Sequence, residues 1–429
     1  MHGLKVPVLE DEASGDTHRD GVDLRALADA VSTPLHAYSA SAIRQRISEL
    51  QDALHGLDAV LCYAVKANSN VAILQLMGEA GIGADIVSAG ELRRSLRAGI
   101  PAARIVFSGV GKTPDEIAEA LDAGVARFNV ESRDELDTLQ ALACARDTVA
   151  HAAVRINPDV DAGTHAKIST GMSENKFGVS VVEARRWFTD AADFTHVRLD
   201  GLHVHIGSQI LSASPFRIAL RRVAKFRREL ALAGHAIASI DVGGGLGVRY
   251  REDQDPPLSA AEYVAVIREA LAGFTGRIVL EPGRYLVAES GVLLTRVLRI
   301  KHGEERRFLV VDAAMTELLR PSLYDAWHDI ARVGGRPADP TAQYDIVGPV
   351  CESGDTFATE RELAVCESGD LLSIATTGAY GAAMASTYNS RPLAAEVLLD
   401  NGRYALVRRR QTLEEMVAGE QPAQDWQTA

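Results

Sequence analysis

A (β/α)8 barrel followed by an antiparallel β-sandwich or β-barrel domain is the fold this sequence predicts, on three observations. Eight short apolar runs lie between about residues 59 and 282, most of them separated by amphipathic stretches of helical period. After Ser290 the alternation stops, and β-rich runs follow one another across Gly, Asp, Pro or charged turns. The 429 residues are enough for two or three domains with sizeable cores.

Taken in order, residues 1–21 are polar and rich in Gly and Asp, and are expected to form a flexible arm. Residues 22–40 are assigned with 290–429 to the β domain, and 41–289 to the barrel. The apolar runs are AVLCYAV at 59, GADIV at 83, RIVFSG at 104, VARFNV at 125, AAVRIN at 152, LDGLHVHIG at 199, SIDVGGG at 239 and RIVLEP at 277. Between them stand NVAILQLMGEAG, GELRRSLRAG, TPDEIAEALDAG and SRDELDTLQALACAR, several opening on Asn, Thr or Ser and closing on Gly, as helix caps do. Strands joined by helical crossovers run parallel, and eight of them close a ring; a doubly wound open sheet is the structural rival. Beyond 290 come VLLTRVLRI, RFLVVDA, YDIVGPV, ELAVC, DLLSIAT, AAEVLL and RYALV, and the tail RRRQTLEEMVAGE reads as a short helix.

Charge and cysteine usage bound the function. Lys and Arg number 45 against 58 Asp and Glu, a net charge of -13 that repels phosphate backbones and anionic lipid. No basic patch offsets it, no apolar run reaches the roughly 18 residues of a membrane span, and no hydrophobic stretch precedes the acidic N-terminal segment. Cys62, Cys144, Cys351 and Cys366 are widely spaced and form no CxxC pair. A soluble cytoplasmic enzyme with no nucleic-acid or membrane partner is expected.

The active mouth of such a barrel is built at the C-terminal ends of its strands, so the polar residue closing each apolar run is the one to examine. The runs end in Lys66, Asp85, Ser108, Glu131, Asn157, His205, the glycines at 243–245 and Glu281. A largely buried amine at Lys66 would tend to lose its proton and become a nucleophile; taken alone, the residue also reads as an ordinary lysine reaching to solvent. GGGLGV at 243 fails the GxGxxG pattern because position 248 is Val, leaving either an anion-chelating loop or a tight turn. EPGR at 281 sets a carboxylate beside a cation, a site for one anion and one cation or a structural ion pair. His203 and His205, two apart on one expected strand, share a face; lacking a partner ligand motif they predict no metal site, and an imidazole lying against an aromatic ligand is the better reading. Cys351 beside Glu352 in a Gly-rich turn is an accessible thiol able to give or take protons, whereas Cys62, Cys144 and Cys366 read as packing residues.

Together YAVKANSN, STGMSENKFGV, HVHIGSQI, DVGGGLGV, EPGRYLVAESG, LRPSLYDAWHDI, GPVCESGD and GAYGAAMASTYNSRP resemble, in order and spacing, the motifs of the diaminopimelate decarboxylases, pyridoxal-phosphate enzymes of fold type III. The resemblance runs from about Thr33 to Gln411. It implies that Lys66 holds pyridoxal 5'-phosphate as a Schiff base, that His205 stacks on its ring, and that Glu281 faces the ring nitrogen and strengthens the electron sink. Asp85, Ser208, Gly245, Gly283, Arg284 and Tyr380 complete the cofactor site, the last five around the phosphate. Arg284, Arg320, Tyr324 and Tyr380 would meet the substrate, with Glu352 on its distal ammonium, and Cys351 of a neighbouring subunit would return a proton, which makes a homodimer with shared active sites. The implied reaction is decarboxylation of meso-2,6-diaminopimelate to L-lysine and CO2, the last step of lysine biosynthesis. The alternatives are a related decarboxylase of ornithine, lysine or a carrier-bound amino acid, a racemase on the same barrel, or a non-catalytic regulatory homologue.

Overall fold

The computed structural model describes residues 17–160, 176–251, 253–254, 256–336, 338–424 and 426. They form two compact units, one spanning Ala40–Glu289 and the other joining the described residues up to Ser39 with those from Ser290 onward.

Each apolar run of the first unit becomes a strand: Ala59–Ala64, Gly83–Ile86, Ile105–Phe107, Arg127–Val130, Ala150–Arg155, Val197–His203, Ser239–Asp241 and Arg277–Leu280. They pair in parallel in chain order and close on themselves, Ile278 opposite Ala59, which excludes the open sheet. The intervening helices start where side chains replace missing backbone acceptors. Thr113 and Glu116 make a capping box ahead of Pro114–Ala123, which Gly124 ends at φ +77°; Ser259 and Glu262 do the same for Ala260–Ala270. With helices on one side and the barrel interior on the other, most strand residues are buried, which explains why the runs are nearly continuous in apolar residues.

The second unit is mixed, not purely antiparallel. Its longest strand, Gly291–His302, pairs antiparallel with Leu35–Ser39 and Leu371–Ile374 along its first half and with Arg307–Val311 along its second, changing partners at a bulge between Val297 and Arg299. Two pairings are parallel: Leu35–Ser39 with Ala395–Asp400, and Arg307–Val311 with Thr341–Val347. Neither pair is joined by a tight turn, so local sequence does not dictate antiparallel geometry there. The hairpin from Ala395–Asp400 to Arg403–Arg408 turns through Asn401 and Gly402, both at positive φ, as Asn-Gly predicts. Leu24–Val31 forms a helix capped by Asp23, and the tail helix is Leu413–Val417. Within the expected arm, His18–Arg19 pair with Val22–Asp23, and residues 1–16 lie outside the described residues. Among the described residues no helix is long and apolar enough to cross a membrane.

Candidate active site

The first barrel strand passes into a single 3-10 turn, Val65–Ala67, which carries Lys66 at the C-terminal end of the barrel. Its Nζ lies 3.0 Å from Oδ2 of Asp85, in the second strand. The lysine side chain is 40% exposed and the aspartate fully buried, so the burial expected of the amine falls on its partner. Burial and the Glu281 charge raise the Asp85 carboxyl above its ordinary value, and the Lys66 ammonium opposes both. Among the described residues Asp85 Oδ1 has no hydrogen-bond partner.

Glu281 leaves the eighth strand into a buried polar centre. Its Oε1 accepts from Asn129 Nδ2 at 3.0 Å and Ser108 Oγ at 3.2 Å. Its Oε2 stands 3.3 Å from His203 Nε2, within ion-pair range but without hydrogen-bond geometry. Asp241, in the seventh strand, accepts from Gly243 N at 2.9 Å and Asn129 Nδ2 at 3.3 Å. Burial, reinforced by the Glu281 charge, pushes the Asp241 carboxyl well above its ordinary value. Burial acts on Glu281 in the same direction, but His203 and Lys66 outweigh it and hold that carboxyl below its ordinary range. Within the pair, burial and the mutual repulsion favour the proton on Asp241 and the charge on Glu281. His203, Asp241 and Glu281 bring donor atoms within 4.8 Å of one another, a grouping across three strands that no local motif announces. Three of the four carboxyl oxygens of that trio accept hydrogen bonds from protein donors, and the fourth, Glu281 Oε2, is the one that stands beside His203 Nε2.

His205 lies two residues past the end of its strand at His203, so the two histidines do not share a strand face as expected. The backbone N–H of Gly244 donates to His205 Nδ1 at 3.2 Å, which requires an unprotonated ring nitrogen. Burial, then Arg155 and Lys66, push the imidazole well below its ordinary value, so it is neutral. The glycine loop beside it is closely packed: Gly243 sits at φ +68°, and a Cβ on Gly244 would strike the Glu281 carbonyl oxygen. Arg284 opens a short helix, Arg284–Val287, and donates through Nη2 to Ser208 Oγ at 3.1 Å and through Nη1 to the Tyr250 hydroxyl at 2.5 Å. A Cβ on Gly283 would press on the methyl groups of Ala64 and Ala67 at 3.1 and 3.2 Å, and one on Gly245 (φ +105°) would meet the Gly207 carbonyl oxygen.

Other strand-end residues do structural work. Glu131 makes a buried ion pair with Arg155 at 2.8 Å, and Asn157 Oδ1 accepts from Asp159 N at 2.9 Å to hold a turn. Within the β unit, Arg320 begins the helix Arg320–Tyr324 and is buried, while Tyr324 is half-buried at its end. Tyr380 is half-buried at φ +58°. Cys351 and Glu352 are exposed in a turn where Cys351 N donates to Asn389 Oδ1 at 2.8 Å. Cys62 and Cys366 are buried as expected, but Cys144, the last residue of its helix, is exposed instead of packed. Residues 169–175 of the STGMSENKFGV motif lie outside the described residues. Asn129 and Asp241 join the site without having stood out in the sequence. The available signal was a polar residue inside an otherwise apolar strand run.

Comparison with known proteins gives one consistent result. Residues 40–288 match the family described as pyridoxal-dependent decarboxylase, pyridoxal binding domain. The diaminopimelate decarboxylase of Pseudomonas aeruginosa is 49% identical over 401 residues, covering 94% of this chain and 96% of the relative. That of Aquifex aeolicus is 43% identical, covering 96% and 97%. The crystal structure of diaminopimelate decarboxylase from Helicobacter pylori complexed with L-lysine superposes with a TM-score of 0.89 at 42% identity, covering 93% of this chain and 99% of that one. The barrel residues fit pyridoxal phosphate on their own chemistry: an amine at a strand end, a buried carboxyl held by a polar network, an imidazole with an unprotonated nitrogen, a glycine loop with no room for Cβ atoms, and an Asp85 oxygen without a hydrogen-bond partner among the described residues. The chain belongs to the diaminopimelate decarboxylase family of pyridoxal-dependent decarboxylases.

Proposed function

We infer that this protein decarboxylates meso-2,6-diaminopimelate to L-lysine and CO2 with pyridoxal 5'-phosphate as its cofactor. The observation that carries the reading is the buried Glu281 carboxyl, held by Asn129 and Ser108, together with the Lys66–Asp85 pair in a chain 49% identical to a diaminopimelate decarboxylase. When bound, the cofactor supplies an electron-accepting ring for the pair of electrons freed as the C–C bond to CO2 breaks.

The chain's own residues do the rest. Lys66 offers the nucleophilic nitrogen, oriented by Asp85. Glu281, held below its ordinary range by His203 and Lys66, would face the ring nitrogen and favour a proton there. The neutral His205 presents a flat face that adds no charge competing with that proton. Ser208, Gly245, Gly283, Arg284 and Tyr380 take the phosphate. Arg284, Arg320, Tyr324 and Tyr380 bind the substrate, the guanidinium groups on the carboxylate of the centre that does not react, and Glu352 takes the ammonium there through charge-assisted hydrogen bonds. Cys351 delivers the proton that replaces CO2 at the reacting carbon. These roles rest on the family resemblance. The reading extends to a cytoplasmic homodimer in which Cys351 and Glu352 serve the neighbouring subunit's site, supported by their exposure in the single chain.

Lysine and ornithine carry no carboxylate at the far end, so each would leave guanidinium groups unpaired at a cost of roughly 3–5 kcal/mol. CO2 release from the purified holoenzyme, measured side by side with meso-diaminopimelate, lysine, ornithine and glutamate, tests this. Release from meso-diaminopimelate should exceed the others by at least about a hundredfold in kcat/KM. Faster release from lysine or ornithine would reject the assignment.

A further inference from the structure

The buried histidine of the β unit, His328, has no part in the proposed chemistry, yet it touches a residue that does. Arg320 Nη1 lies 2.8 Å from His328 Nε2, and His328 Nδ1 lies 2.8 Å from the carbonyl oxygen of Ala375. A carbonyl can only accept, so Nδ1 carries the proton. A guanidinium can only donate, so Nε2 receives its hydrogen bond. The two contacts together fix one neutral tautomer and one ring orientation.

The backbone and the neighbours of His328 are held as well. Arg361 stacks on the Trp327 ring at 3.4 Å and donates through Nη1 to the His328 carbonyl at 2.9 Å. Trp327 Nε1 donates to Asp329 Oδ1 at 2.7 Å, and Ala375 N donates to the Asp329 carbonyl at 2.8 Å. Residues on both flanks of His328 are thus tied to the strand Thr356–Ala364 and to the end of Leu371–Ile374. His328 is fully buried and Arg320 nearly so, so a displaced guanidinium would have little water to recover its bond.

We propose that His328 is a positioning residue for substrate specificity: through its unprotonated Nε2 it aims Arg320 at the distal carboxylate of the substrate. The proposal rests on the reading that Arg320 meets that carboxylate. A neutral acceptor suits the task, because a carboxylate in its place would pair with the guanidinium and compete with the substrate, while a protonated imidazole would repel it.

Atom-matched variants of the holoenzyme test this. Asn at 328 reaches only as far as Nδ1 and loses the acceptor facing Arg320, whereas Gln reaches as far as Nε2 and retains one. His328→Asn should raise KM for meso-diaminopimelate about tenfold with kcat within about twofold, the loss of one hydrogen bond to a charged group. His328→Gln should restore most of the affinity. L-lysine, which keeps the distal carboxylate after reaction, should bind His328→Asn about tenfold more weakly, and 1,5-diaminopentane, which has none, should bind as in the parent. A general loosening of the fold would weaken both ligands alike.

In an Arg320→Met background, His328→Asn should add nothing further. If Arg320→Met leaves KM unchanged, the assignment of Arg320 to the distal carboxylate falls, and the proposal with it. If Arg320→Met raises KM but His328→Asn does not, or the two effects multiply, only the positioning role is overturned. Equal loss in His328→Gln and His328→Asn overturns it as well, and that comparison stands if the Asn variant binds no ligand at all.

Discussion

At the scale of single residues, the buried carboxyls Asp241 and Glu281 are driven in opposite directions by their surroundings. Asp241 is pushed up by burial and by Glu281, while Glu281 is held down against burial by His203 and Lys66. Glu281→Gln keeps size and hydrogen-bonding capacity but removes the charge, so kcat should fall by about 10²–10³ with a much smaller change in KM. Asp241→Asn keeps an oxygen to accept from the Gly243 N–H and should keep kcat within about tenfold of the parent, while Asp241→Ala, which leaves that N–H short of an acceptor, should cost more. Equal losses in Asp241→Asn and Glu281→Gln would mean that the charge resides on both. Lys66, Asp85, Ser108, His205 and Glu281 were legible because each closes or follows an apolar run. Asn129 and Asp241 were not, since a polar group within a short run gives no period of its own and the ring must close before Asn129 Nδ2 lies 3.0 Å from Glu281. His328 sits in an irregular segment between the helix Arg320–Tyr324 and the strand Ile330–Arg332 with no periodic signal, and its partner carbonyl is 47 residues away.

At the scale of elements, the strand Leu35–Ser39 carries an unusual load. It lies between Gly291–His302 and Ala395–Asp400 and contains His36, 1% exposed and stacked on Tyr38 at 6.4 Å. Neither ring nitrogen has a hydrogen-bond partner among the described residues. Burial pushes this imidazole down from 6.5 to about 4, with Glu396 opposing and Arg408 assisting. Between those values the unfolded chain binds a proton that the folded chain refuses. Stability is therefore intact above pH 6.5 and falls as the pH drops toward 4, by about 3 kcal/mol from this group. His36→Leu should flatten that limb when urea unfolding is followed at pH 7 and at pH 4.5. An unchanged difference between the two pH values would assign the loss to other groups. The partners of this strand also mark where the sequence stops being readable. The barrel strands pair with chain neighbours across short crossovers, so periodicity alone gives their order, and the Asn401–Gly402 turn announces its hairpin. Leu35–Ser39 pairs in parallel with a strand some 360 residues later, and no local turn chemistry encodes that contact.

At the scale of the whole molecule, the question is whether one chain suffices for a working site. The proposed proton donor Cys351 and the ammonium reader Glu352 are exposed in the single chain, on a turn tied down by backbone contacts such as Cys351 N to Asn389. A thiol that must protonate a carbon centre works best shielded from water, which an exposed turn lacks until something covers it. If the partner subunit's barrel is that cover, each site takes Lys66 from one chain and Cys351 from the other. Lys66→Ala and Cys351→Ala homodimers are then both inactive for different reasons. In a mixed dimer, the site on the Cys351→Ala barrel keeps its lysine and receives an intact thiol, while the other site has neither. Random exchange makes half of the dimers mixed with one good site in two, so the mixture should recover about a quarter of the parent activity, rising to about a half in purified heterodimers. A site built within one chain gives zero at every mixing ratio, because no chain then carries both residues. Activity measured against the fraction of verified heterodimer separates the two: a line rising from zero establishes the shared site, and a flat line at zero removes it.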